Sequence, residues 1–100
     1  MSENVEFKKC LVCSTGHMTS ADNNLLKKLI IDENYWLYSF EYGWIFNLLG
    51  IRNNMKHIKN LGLSNELCRF VFNMYLIHHC DLLMFDRDAD SIDGYTVFDW

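Results

Sequence analysis

Tyr35-Trp-Leu-Tyr-Ser-Phe-Glu-Tyr-Gly-Trp-Ile-Phe-Asn-Leu48 decides the fold. Its even positions read Trp36, Tyr38, Phe40, Tyr42, Trp44 and Phe46, an aromatic at every second residue. Period two is the signature of extended chain, in which alternate side chains share a face. Strands average about 5–6 residues, so the stretch is too long for one. Glu41-Tyr42-Gly43 offers a turn. The reading is a hairpin, Tyr35–Phe40 paired with Gly43–Leu48, ended by Gly50.

Working outward, Phe7–Ser14 reads as a strand with Leu11 and Cys13 on one side and Cys10 and Val12 on the other. Apolar residues on both faces predict a central strand. Ser14-Thr15-Gly16-His17 breaks it. Thr19 or Ser20 can cap the next helix, Thr19 with Asp22 fitting a loose capping box, and Leu25, Leu26, Leu29 and Ile30 make a helical stripe ending near Asp32–Asn34. Beyond the hairpin, Met55, Ile58 and Leu61 define a short helix with Gly62 at its C′ position. Ser64 caps a longer helix whose stripe is Leu67, Phe70, Val71, Met74 and Ile77/His78. Leu82–Phe85 then reads as a strand. An Asp-rich loop closes with the turn dipeptide Asp93-Gly94, and Tyr95–Phe98 reads as a last strand. The order β-α-β-β-α-α-β-β predicts an α+β, two-layer domain over residues 1–100, with helices on one face of a mixed or antiparallel sheet. Its first part resembles a split βαββαβ arrangement.

Composition supports a packed domain. Half of the 100 residues are apolar, 15% are aromatic and 22% are charged, which argues against disorder. No apolar run approaches the roughly 18 residues of a membrane span, and Met1–Lys9 carries no apolar export region. The expectation is a cytoplasmic protein without membrane contact, with Cys10, Cys13, Cys68 and Cys80 reduced.

The net charge of −4 is uneven. Residues 1–80 hold 8 Lys+Arg and 7 Asp+Glu, a balance of +1; residues 81–100 hold 6 Asp and 1 Arg, a balance of −5. An acidic segment is repelled by nucleic-acid phosphates and attracted by basic surfaces. Direct nucleic-acid binding is therefore not expected. The hairpin aromatics do not change this, because Tyr35–Gly50 contains no Lys or Arg to accompany a stacking platform.

Four constellations carry chemistry. Cys10-Leu-Val-Cys13 has redox spacing, but within a strand its thiols fall on opposite faces. A zinc site would need further ligands from Cys68, Cys80, His78 or His79 without the usual spacing. We read core thiols and no metal. Ser14-Thr15-Gly16-His17 lies between a strand and a helix, where ligand sites gather. One reading is an enzyme site with His17 as base and Ser14 or Thr15 as nucleophile. The other is turn and cap chemistry in which His17 anchors the loop. Asp86-Arg-Asp88-Ala-Asp90-Ser-Ile-Asp93 begins like a calcium loop but has Ser91 where glycine and Val97 where glutamate belong. With Asp99 these carboxylates read as an acidic contact surface for a basic partner. No cofactor is implied. His57 reads as a residue of a solvated helix face.

Leu11-Val-Cys-Ser-Thr-Gly-His-Met-Thr19, Glu41-Tyr-Gly-Trp44 and Cys80-Asp-Leu-Leu-Met-Phe-Asp-Arg-Asp88, continued by Asp93-Gly94 and Val97-Phe-Asp-Trp100, resemble a family of short prophage and plasmid proteins known only as a domain of unknown function. In that family a strand runs into a Ser-Thr-x-His-Leu-Thr-like turn and the chain ends in an Asp-rich hairpin with Phe-Asp-Trp. This chain has Met18 where the family has Leu, and no proline. The likeness covers both ends and hardly touches Asn47–Tyr75. It implies a mobile-element context and assigns no catalytic residue. The expected function is a mobile-element-encoded binding protein that inhibits a host defence complex, of anti-CRISPR or antirestriction type. Its acidic surface would meet a basic protein or ribonucleoprotein. The alternative is a small hydrolase or nucleotide-handling enzyme built on His17 with Ser14/Thr15.

Overall fold

A computed structural model describes residues 5–100; of the Met1–Lys9 stretch read above, residues 1–4 lie outside the described residues. The regular elements are β1 (Cys10–Ser14), α1 (Ser20–Leu29), β2 (Leu37–Phe40), β3 (Gly43–Asn47), α2 (Lys56–Asn60), α3 (Asn65–His78) and β4 (Leu82–Asp86). Single 3₁₀ turns follow β1 and β3. The result is an α+β domain with a four-stranded mixed sheet in the order β1-β4-β3-β2. β4 pairs in parallel with β1 and antiparallel with β3, and β2 closes the hairpin onto β3.

The hairpin forms where expected, but its aromatics divide between the two faces. Phe40 pairs with Gly43 and Leu37 with Phe46, so partner numbers sum to an odd value. Residues of equal parity on the two strands therefore face opposite ways. Trp44 and Phe46 enter the core with Leu37, while Tyr38 projects from the other face. Leu83 and Phe85 of β4 and Cys13 of β1 complete the buried face, against Leu26 of α1, Ile58 of α2 and Leu67, Phe70, Val71 and Met74 of α3. A train of rings crosses this core. Trp36 meets Phe46 at 5.1 Å, Phe46 meets Phe85 at 4.9 Å, and Phe85 meets Phe70 at 5.9 Å. Aromatic pairs at such spacings add stability beyond the area they bury.

The helix starts follow their caps. Thr19 and Asp22 form the full capping box of α1, and Ser64 caps α3 through the Leu67 N–H. Gly62 follows α2 at φ +106°, a left-handed conformation suited to glycine. Asp22 also reaches across the molecule. Its buried carboxylate accepts from the Ser64 N–H at 2.7 Å and the Ser64 hydroxyl at 2.6 Å, tying the start of α1 to the start of α3. His57 pairs with Glu33, so it is not on a free solvated face. Ile77 is 59% exposed, and the buried stripe of α3 stops at Met74.

Two strand expectations are corrected. β1 is an edge strand, because β4 is its one neighbour in the sheet, and Cys10 and Val12 on it are exposed. Tyr95–Phe98 is not a strand: its polar groups are taken up by the turn after β1 rather than by a neighbouring strand. Gly43 shows how tightly the central pair is fitted. A Cβ placed there would lie 1.8 Å from the Phe85 carbonyl oxygen and 3.3 Å from Thr15 Cγ2. Gly43→Ala must therefore push β3 from β4. The expected cost is about 3 kcal/mol in urea unfolding; an unchanged midpoint would mean that the hairpin does not sit against β4 in this register.

Candidate functional site

After β1 the chain makes a single 3₁₀ turn over Thr15–His17, with the Ser14 hydroxyl accepting from the Gly16 N–H at 2.9 Å. The turn directs His17 inward, where it is 2% exposed and stacks on Phe70 with ring centroids 4.4 Å apart and planes at 14°. Both ring nitrogens are engaged. Nδ1 lies 3.0 Å from the Thr96 carbonyl oxygen, and Nε2 accepts from the Ile92 N–H at 2.8 Å. A carbonyl only accepts and an N–H only donates, so the ring is a neutral imidazole with its proton on Nδ1. Burial pushes the His17 pKa below its ordinary value, partly offset by the Thr96 contact. Ser14 and Thr15 are not partners of the ring, and His17 acts as the anchor of the loop.

What it anchors is the acidic segment. From Asp86 the chain runs along the turn after β1, with the Ser14 N–H donating to the Asp90 carbonyl at 3.1 Å and the Phe98 N–H to the Gly16 carbonyl at 2.7 Å. The Trp100 indole donates to the Met18 carbonyl at 2.7 Å. Ile92 and Tyr95 pack against the core, Tyr95 meeting Phe70 edge-on at 5.2 Å. The intervening carboxylates face outward: Asp88, Asp90, Asp93 and Asp99 are exposed, and among the described residues none forms an ion pair. Asp86 differs. It is half-buried and its Oδ1 accepts from the Asp88 N–H at 2.8 Å, so it shapes the turn.

The cysteines are all free thiols, with Cys13 and Cys80 buried. Burial pushes the Cys13 thiol up to about 12, far from the range of a reactive thiolate. Among the described residues no three His, Cys, Asp or Glu side chains converge to hold a metal ion, and no helix is long and apolar enough to cross a membrane. A cleft that the sequence did not disclose lies beside the same turn, where Lys27 and Arg87 come to the hairpin aromatics. The one signal was Arg87 itself, the single cation in the acidic segment.

The stretches 11–19, 41–44 and 80–100 are thus one neighbourhood. Gly43 pairs with Asp86, the Arg87 N–H donates to the Tyr42 carbonyl at 2.9 Å, and the C-terminal segment closes on the turn after β1. Residues 10–100 match the family of unknown function (DUF5983), C-terminal domain. The chain belongs to that family. No curated protein and no solved structure matches it.

Since the folded His17 resists protonation, its contribution to stability is complete above the unfolded value near 6.5. That contribution is lost as pH falls below about 6.5 toward the depressed folded value. His17→Gln should lower stability by about 2 kcal/mol at pH 7.5 and flatten the pH dependence below about 6.5. Urea unfolding across that range tests it, and a variant that keeps the wild-type slope would clear His17 of the effect.

Proposed function

We propose that this chain is a binding protein whose acidic C-terminal segment docks on a basic surface. The observation that carries this reading is the presentation of Asp88, Asp90, Asp93 and Asp99. They are exposed, free of ion pairs among the described residues, and borne on a segment pinned by His17 and by main-chain bonds to Ser14 and Gly16. Fixed carboxylates lose little freedom on binding, and they steer encounter with a cationic partner. The partner in this proposal is a protein or ribonucleoprotein complex with a basic nucleic-acid groove, met in the host cytoplasm. The specific role is that of a mobile-element inhibitor of a defence complex, of anti-CRISPR or antirestriction type. Its carboxylates would occupy the place of phosphates. The neutral His17, with both nitrogens engaged, favours this over an acid–base role for the same turn.

The test leaves Asp86 in place to hold its turn. Tagged wild-type protein and the Asp88→Asn, Asp90→Asn, Asp93→Asn, Asp99→Asn variant are used to capture complexes from host lysate across a salt series. Wild-type capture of a nucleic-acid-handling complex should weaken as salt rises. The fourfold variant should bind it about tenfold to a hundredfold more weakly, with a flat salt response. Equal affinity and equal salt slope would remove the acidic surface from the mechanism.

A further inference from the structure

The cleft beside the turn after β1 has a volume of about 410 Å³, within the range of small-molecule sites. Its place in the fold is informative. β1 and β4 run parallel side by side, and Thr15 and Arg87 directly follow their last residues, Ser14 and Asp86. Thr15 and Arg87 both line the cleft, which therefore opens at the carboxyl ends of the parallel pair. Ligands of α/β sheets bind at such ends because the chain leaves in loops there.

The lining is two-part. Lys27 of α1 and Arg87 bring two positive charges from separate elements, and neither forms an ion pair among the described residues. Tyr42, Trp44 and Trp100 supply aromatic walls. Two of these rings are fixed by their own bonds, Trp44 to Asn23 Oδ1 at 2.8 Å and Trp100 to the Met18 carbonyl at 2.7 Å. Arg87 already lies over the Tyr42 ring, 5.2 Å from its centroid. Trp100 remains 52% exposed, so much of it is available to a ligand. Glu41 is the one carboxylate at the rim.

Two cations that line one cleft without an ion pair, with Glu41 the single carboxylate side chain beside them, favour an anion there. Fixed rings beside them favour a flat π-system, since every base has a face to stack. We infer that this cleft binds a free nucleoside monophosphate, its base against Trp100 and its phosphate between Lys27 and Arg87. A polymer fits less well. Asp86 and Asp88 flank Arg87 in the chain, Asp99 precedes Trp100, and their charges oppose the further phosphates of a strand. The fold supplies from α1 and the loop after β4 the cations that Tyr35–Gly50 lacks.

Calorimetric titration of the whole chain with AMP, GMP, CMP and UMP tests this, with adenosine, inorganic phosphate and a short oligoadenylate as comparison probes. At least one monophosphate should bind saturably, and its base and phosphate halves, offered as adenosine and phosphate for AMP, should each bind at least about tenfold more weakly. Lys27→Gln and Arg87→Gln, both at exposed positions, should each weaken binding about tenfold, while Lys56→Gln on α2 leaves it unchanged. Circular dichroism establishes that the variants are folded. The inference is overturned by no saturable binding of any monophosphate, or by wild-type affinity in the Lys27 and Arg87 variants. It is equally overturned by adenosine or phosphate binding as tightly as AMP. An oligoadenylate that binds more tightly than AMP overturns the free nucleotide as the occupant.

Discussion

A neutral imidazole holds the C-terminal segment of this molecule to its core. His17 donates to one main-chain group of the C-terminal segment and accepts from another, four residues apart, while its face rests on Phe70. No other side chain offers that combination. Asparagine could make both polar contacts but has no ring to stack, and phenylalanine could stack but would leave Thr96 and Ile92 unpaired in a buried place. The requirement for neutrality follows from the same geometry. A second proton on Nε2 would meet the Ile92 N–H head on. The fold thus converts a titratable residue into a structural one by giving both its nitrogens fixed opposite roles.

That anchor separates two properties that an acidic loop rarely combines. Carboxylates in a free loop attract cations but spend conformational entropy on contact, and loops between strands are usually shaped by backbone pairing. Here the backbone is pinned to Ser14, Gly16 and His17 at one side, leaving the carboxylates outward at the other. The cations lie mostly elsewhere. Lys56 and Lys59 line a groove between α2 and α3, while Arg69 of α3 lies beside both that groove and the Gly94–Phe98 stretch. Arg87 is the one cation within the acidic segment itself, and its guanidinium lies over the Tyr42 ring.

Much of the scaffold is legible in the sequence because its determinants are local. Thr19 with Asp22, Ser64 and Gly62 mark helix ends within a few residues of themselves, and each does so in the fold. The hairpin is legible too, and its division of aromatics follows once Phe40 is set opposite Gly43. What the sequence withholds is long-range. Nothing near Asp22 announces Ser64 as its second partner, 42 residues away. Likewise, apolar residues on both faces of β1 read as central because an apolar side chain does not reveal whether a helix covers it. Cys10 and Val12 are exposed, and the strand order, which the composition of one strand does not encode, puts β1 at the edge.

The C-terminal segment is the instructive case. Tyr95–Phe98 has strand composition and follows a turn dipeptide, yet a strand needs a neighbour that offers a ladder. The Thr96 carbonyl goes to the His17 ring, and the Phe98 N–H goes to Gly16 in a turn rather than to a strand. Side chains do the rest, Tyr95 on Phe70 and Trp100 on Met18. Regular pairing would have aligned this segment with a sheet edge. Irregular anchoring instead carries it across the carboxyl ends of β1 and β4, and brings Trp100 to the cleft that Lys27 and Arg87 share. The same departure from strand geometry thus places the outward carboxylates and builds the aromatic wall, and both depend on which main-chain groups His17 takes.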